Sequence, residues 1–199
     1  IFVDASESMS LGRKRKTKLD YAARAAVLLS YLAKRSQDFF GLVIFSDGIK
    51  NFISAGKGRK QFYQILDTLA RVDAGGGFNL ARAMKEFVMR ERRAALAIII
   101  SDLEGDPSNI EEAIKIAVAN KIKPIIISPI GPLFEVPPSD SLSKSLFEIA
   151  LTEYMSRRDR IKLSLGKYGV PVLDVNPEDL IAMTLEAFLR AKARGIAMI

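Results

Sequence analysis

IFVDASESMSLG, residues 1–12, is the stretch on which the reading of the whole chain turns. Its first residues have the character of a buried strand, the strand ends in Asp4, and Ser6 and Ser8 follow at alternate positions. A turn needs only a glycine, an asparagine or a single aspartate. An acid and two hydroxyls, each two residues apart, read instead as a set of oxygen ligands where a strand runs out.

Further along, FFGLVIFS (39–46), ALAIIIS (95–101), IKPIIIS (122–128) and VPVLDV (170–175) are continuously apolar rather than alternating. Parallel strands covered on both faces read this way. KNFIS (50–54) follows the hairpin signal Asp47-Gly48 and reads as a short antiparallel edge strand. The helices lie between. Residues 18–35 are apolar nearly all round and predict a helix packed inside. Ser108 with Glu111 predicts a capping box ahead of the stripe Ile110, Ala113, Ile114, Ala117 and Val118. Asn176-Pro177-Glu178-Asp179 is another helix start. PIGPLFEVPP (129–138) reads as a loop into a long helix over roughly 140–167.

The fold class is therefore α/β: an open, doubly wound, mostly parallel six-stranded sheet with one antiparallel edge strand and helices on both faces. In such sheets ligands sit at the carboxyl ends of strands where the strand order reverses. Asp4 ends the first strand, and Asp102 is the other acid in an equivalent place, ending ALAIIISD. If the two strands are neighbours, both carboxylates face one crevice.

Composition narrows the chemistry. The 199 residues are 49% hydrophobic, enough for one well-buried domain, and contain neither cysteine nor histidine. Ser-His-Asp catalysis, cysteine nucleophiles, structural zinc and histidine-held iron or copper lose their usual residues. Disulfides are impossible, and nothing argues for an oxidising compartment. A bound metal would be a hard cation held by oxygens: Mg²⁺, Mn²⁺ or Ca²⁺. The net charge of +7 favours acidic partners without choosing among them. No apolar run reaches the roughly 20 residues of a membrane helix, and no signal peptide is present. The chain opens inside a strand without an initiator methionine, so the expectation is a single domain over 1–199 within a longer protein. It is expected to be cytoplasmic, with an upstream membrane anchor left open.

Asp4-x-Ser6-x-Ser8, GGGFNLARAM (75–84) and IISD (99–102), in that order, resemble a von Willebrand factor type A (vWA) domain at its metal-ion-dependent adhesion site. The SESM variant, GGGFNLARAM and GVPVLDVNPEDL (169–180) are most similar to the prokaryotic DUF58 family. The resemblance implies a non-enzymatic protein-interaction module. In it, Ser6 and Ser8 offer hydroxyls directly to the cation, Asp4 and Asp102 act mostly through water, and one position stays open for a partner's acidic side chain. It also implies a MoxR-type AAA+ ATPase as the setting. One departure stands out: the family's usual threonine after the glycines is Phe78 here, followed by Asn79. Three outcomes follow. Asn79 lends its amide oxygen, water fills the gap with weaker binding, or the site holds no metal.

Other readings compete. Asp4 can serve simply as a turn cap, and Ser6 and Ser8 as loop serines. Glu104 and Asp106 are expected to shape their loop and prepare the following helix. GRKRKTK (12–18) is ordinarily a solvated loop or helix start; its functional alternative is a patch of Arg13, Lys14, Arg15 and Lys16 that steers an acidic partner. No aromatics interleave with these charges, which gives no case for nucleic acid. RRDRIK (157–162) is assigned to the exposed face of the long helix. The triplet Gly75–Gly77 lacks the ending of a phosphate loop. A Mg²⁺-dependent phosphatase is the enzymatic alternative, but such enzymes want an acid two residues after the nucleophilic aspartate, and Ser6 stands there. A structural domain with a degenerate site is the third reading.

Overall fold

A computed structural model describes residues 1–134 and 140–193. In chain order its elements begin with β1 (Phe2–Asp4), the pair β2 (Gly12–Arg13) and β3 (Lys16–Thr17), α1 (Lys18–Arg35), β4 (Phe40–Phe45) and β5 (Ile49–Gly56). Next come α2 (Gly58–Ala70), α3 (Leu80–Arg90), β6 (Ala95–Ile100), α4 (Pro107–Ala119) and β7 (Ile122–Pro129). The chain closes with α5 (Ser141–Gly166), β8 (Val172–Val175) and α6 (Leu180–Ala193).

Six strands form one sheet in the order β5-β4-β1-β6-β7-β8, parallel throughout except for β5, which pairs antiparallel to β4. The apolar runs are continuous because alternate residues feed two cores. Val3, Leu42, Ile44, Ile98, Ile100 and Ile127 face α1, α2 and α6. Phe2, Val43, Phe45, Ala97, Ile99 and Ile126 face α3, α4 and α5. A fully buried side chain the size of Phe2 or Val3 contributes about 1.5–3 kcal/mol, and these two, one into each core, seat the short β1 at the centre of the sheet. The chain winds from β1 outward through β4 and β5, then returns to place β6 on the other side of β1. Strand order reverses there, and the crevice over β1 and β6 is where this topology puts a ligand.

Several local readings need correction. α4 is capped by Asp106, whose carboxylate accepts the Ser108 N–H, with Pro107 in the first turn; Ser108 and Glu111 form no capping box. Asp106 already satisfies the free N–H groups, and Glu111 turns instead to Ser164 and Tyr168 of the neighbouring segment. Within GRKRKTK, Gly12–Thr17 form the small β2–β3 hairpin, solvent-exposed from Gly12 to Lys16, and Lys18 is the first residue of α1. α2 and α3 were not foreseen. Asn176 does cap the turn before α6, accepting the Asp179 N–H. The Pro-rich segment begins on Pro129, the last residue of β7, and contains a 3-10 turn at Gly131–Phe134; its residues 135–138 lie outside the described residues. Among the described residues no helix is long and apolar enough to cross a membrane.

Candidate functional site

Asp4 closes β1 with no exposure to solvent. One carboxylate oxygen accepts the Ser6 N–H at 2.8 Å and the other the Ser101 hydroxyl at 2.6 Å. Burial first, and then the charge of Asp102, push its pKa up to about 6, against hydrogen bonds from Ser101 and Ser6 that favour the anion. Ser6 is buried, Ser8 half-buried, and their hydroxyl oxygens lie 3.2 Å apart. The segment is held from the glycine loop: Glu7 N–H donates to the Gly76 carbonyl at 3.0 Å and Gly75 N–H to the Ala5 carbonyl at 2.9 Å. Gly76 adopts φ +80, and a Cβ there would stand 3.0 Å from the Ser46 hydroxyl, so glycine is required on both counts.

Across the crevice, Asp102 follows β6 in a tight loop in which Leu103 takes the left-handed conformation, φ 57. The Ser101 hydroxyl accepts the Leu103 N–H at 3.0 Å and so braces that turn. Both Asp102 oxygens are occupied, one by the Glu104 N–H at 3.1 Å and the other by the Lys18 ammonium at 2.5 Å. Lys18 also donates to Glu104 at 3.0 Å and is itself fully buried. Burial pulls the Lys18 pKa down, but Asp102 and Glu104 together outweigh it and the net shift is upward. Lys18 opens α1, where a positive charge opposes the helix dipole, so the two carboxylates are what hold it there.

The threonine position is filled by Phe78, whose ring packs edge-on against Phe45 at 6.0 Å. It also lies across Gly105: a Cβ on Gly105 would come within 2.1 Å of the ring. Asn79 is not free to reach the crevice. Its amide oxygen caps α3, accepting the Arg82 N–H at 2.9 Å and the Asn109 amide at 2.8 Å. The direct donors facing the crevice are thus the hydroxyls of Ser6 and Ser8, with the carboxylates of Asp4 and Asp102 behind them. Among the described residues no group of three or more carboxylates is placed to hold a metal.

RRDRIK is not a featureless exposed face. Arg158 is buried and donates to the Asp102 carbonyl at 2.9 Å, the Tyr154 hydroxyl at 2.9 Å and, through Nε, to Asp174 at 3.0 Å. Lys162 pairs with the same aspartate. α5 is thereby tied to the backbone of the crevice. Two signals in the sequence point to these residues. Thr17-x-x-Asp20 is a capping box that fixes the start of α1 at Lys18, and Asp174 is an acid inside an apolar strand that needs a buried cation. Arg13, Lys14, Arg15 and Lys16 are exposed on the hairpin that leads directly from the crevice into α1. Arg24 holds that hairpin through the Arg15 carbonyl at 2.9 Å.

A family model described as protein of unknown function DUF58 matches residues 1–128. The chain belongs to the DUF58 family. Uncharacterized protein Rv1480 of Mycobacterium tuberculosis (strain ATCC 25618 / H37Rv) is 31% identical to this DUF58 chain over 108 residues, 53% of this chain and 34% of that one. The matched region thus spans about a third of the relative's length. Among solved structures, the DUF58 chain is similar to the conserved hypothetical protein BatB from Bacteroides thetaiotaomicron. The TM-score is 0.64 at 16% identity, covering 96% of this chain and 97% of that one. It is also similar to the SpRpn10 VWA domain, with a TM-score of 0.54 at 13% identity over 92% and 90% of the two chains. At these identities the likeness shows the fold, which is that of a vWA domain.

Proposed function

We propose that this DUF58 domain is a non-enzymatic protein-interaction module whose crevice over β1 and β6 binds an acidic partner through a hard divalent cation, Mg²⁺ or one of its analogues Mn²⁺ and Ca²⁺. The observation that carries the reading is the 3.2 Å separation of the Ser6 and Ser8 hydroxyl oxygens. Adjacent corners of a Mg²⁺ octahedron, with metal–oxygen distances of about 2.1 Å, stand roughly 3 Å apart. Ser6 and Ser8 would hold the ion directly and Asp4 and Asp102 through water, and the ion would supply a positive centre for a partner carboxylate. Water, rather than Asn79, takes the corner that Phe78 vacates. Arg13, Lys14, Arg15 and Lys16 lend the approach a matching charge.

The vWA fold supports an interaction role, and Ser6 in the position where a phosphotransfer enzyme needs an acid supports a non-enzymatic one. From the family resemblance the partner is expected to be a MoxR-type AAA+ ATPase, and the setting cytoplasmic. The test is a calorimetric titration of the purified chain with Mg²⁺ and Mn²⁺, followed by a glutamate-rich peptide as carboxylate probe. Cation binding that disappears in Ser6→Ala, and peptide binding only when the cation is present, are expected. A parent chain that takes up neither ion refutes the proposal, and restoration by Phe78→Thr would locate the fault at that ring.

A further inference from the structure

We propose that Lys18 sets the cation affinity of the crevice, its ammonium competing with the divalent ion for the charge of Asp102. This rests on the reading of Ser6, Ser8, Asp4 and Asp102 as a cation site. Asp102 has no oxygen without a hydrogen bond: Oδ1 accepts the Glu104 N–H and Oδ2 the Lys18 ammonium, the latter at 2.5 Å between two side chains with no solvent exposure. Glu104, the next acid along, spends an oxygen on the same ammonium at 3.0 Å. An incoming ion therefore meets a carboxylate already neutralised by a resident cation. The uncompensated charge left to it is that of Asp4, whose two oxygens accept hydrogen bonds from Ser6 and Ser101.

The cage around Lys18 leaves the ammonium little room to withdraw. A methyl group on Gly131 would stand 3.2 Å from the Lys18 nitrogen and 3.4 Å from the Tyr154 hydroxyl, so this turn closes over the ammonium. Arg158 also pins the Asp102 backbone by donating to its carbonyl. Lys18 and Asp102 thus form a fixed pair, and the ion binds against that pair. A unit charge acting on a divalent ion across a few ångströms changes affinity by at least about tenfold, even at a high effective dielectric constant. Removing the ammonium while leaving the carboxylate should tighten binding by that amount.

The experiment titrates Mn²⁺ into the purified chain and into Lys18→Met, Lys18→Arg and Ser6→Ala, by calorimetry and by the electron paramagnetic resonance signal of the free ion. Alongside, the side-chain ammonium resonance of Lys18 in the parent is followed by nuclear magnetic resonance during a Mg²⁺ titration. The expected result is binding at least about tenfold tighter in Lys18→Met, affinity near the parent in Lys18→Arg, and a saturable shift of the ammonium signal. Equal or weaker binding in Lys18→Met, with binding still abolished by Ser6→Ala, overturns the role of Lys18 and leaves the cation site standing. Absence of binding in parent and Lys18→Met alike overturns both. Should Lys18→Met fail to fold, the ammonium signal in the parent decides: a resonance unmoved while the ion binds refutes the competition.

Discussion

Asp4→Asn, in metal-free buffer, should stabilise the domain at neutral pH and do nothing for it in acid. The carboxyl titrates at about 6 in the fold against an ordinary value of 3.8, because it is buried and faces Asp102. Between those two values the native protein keeps a proton that the unfolded chain has released. The unfolded state therefore binds fewer protons, and stability falls as pH rises through this window. A shift of about two units corresponds to roughly 3 kcal/mol of destabilisation once Asp4 is fully ionised. For a chain of this size that amounts to roughly 6–12 °C in melting temperature. Asparagine has nearly the same shape, keeps an oxygen for the Ser6 N–H and offers an amide to Ser101, so the penalty goes and the packing stays.

The assay is urea unfolding of parent and variant at closely spaced pH values from 4 to 7.5, with chelator present. Only the parent should carry the part of the slope that Asp4 contributes. The difference curve, variant minus parent, should climb by about 3 kcal/mol between pH 4 and pH 7 and then level off. Other carboxylates titrate in both proteins and cancel in the difference. A difference curve that is flat across the window, whatever its height, refutes the claim that burial and Asp102 hold this carboxyl in its acid form. Saturating Mg²⁺ adds a second arm: an ion bound at the crevice favours the Asp4 anion and should flatten the slope of the parent.

Two further outcomes test the frame around the crevice. Gly105→Ala places a methyl group within 2.1 Å of the Phe78 ring and should cost about 1–3 kcal/mol, most of it recovered in the double variant with Phe78→Thr, as read by a urea double-mutant cycle. Arg158→Met removes the hydrogen bonds to Asp174, the Asp102 carbonyl and Tyr154 but leaves Lys162 on Asp174, and should cost about 1.5–3 kcal/mol in the same assay, whereas Arg157→Ala, which removes one exposed hydrogen bond to the Gly105 carbonyl, should shift stability by no more than about 0.5 kcal/mol.

What could be read from the chain and what could not divide along physical lines. The strands were legible because both faces of each are covered, so their apolar runs are unbroken, as in β6 and β7. Asp4 and Asp102 were legible because each ends such a run. α2 and α3 were not, since their patterns open without the acids and prolines that mark α6, and α3 takes its cap from Asn79 inside a segment already assigned to the glycine loop. Lys18 was hidden at the end of a run of basic residues in which its neighbours are solvated. Arg158 was hidden in a 26-residue helix whose apolar residues follow no single stripe, so no periodicity separates its buried arginine from the exposed ones. Both are fixed by partners far away in sequence: the Thr17-x-x-Asp20 spacing places Lys18 at the start of α1 and Asp174 asks for a cation, but neither signal names the pair.

Those two cations give the crevice its character. Lys18 holds Asp102 and Glu104 together and Arg158 and Lys162 are committed to Asp174, which leaves Asp4 as the carboxylate at this strand junction without a cation on it among the described residues. Under the proposed function a divalent ion answers that remaining charge. Burial first, and then the charge of Asp102, lift the pKa of Asp4, so under the proposed function proton and metal ion are alternative answers to a single electrostatic problem. It follows that the ion should bind more weakly as pH falls through about 6, because it must then displace a proton from Asp4, and that Asp4→Asn should remove both the affinity and its pH dependence. Were Mn²⁺ affinity unchanged between pH 5 and pH 7.5, the ion would not be answering the charge of Asp4, and the crevice could not be the place where it binds.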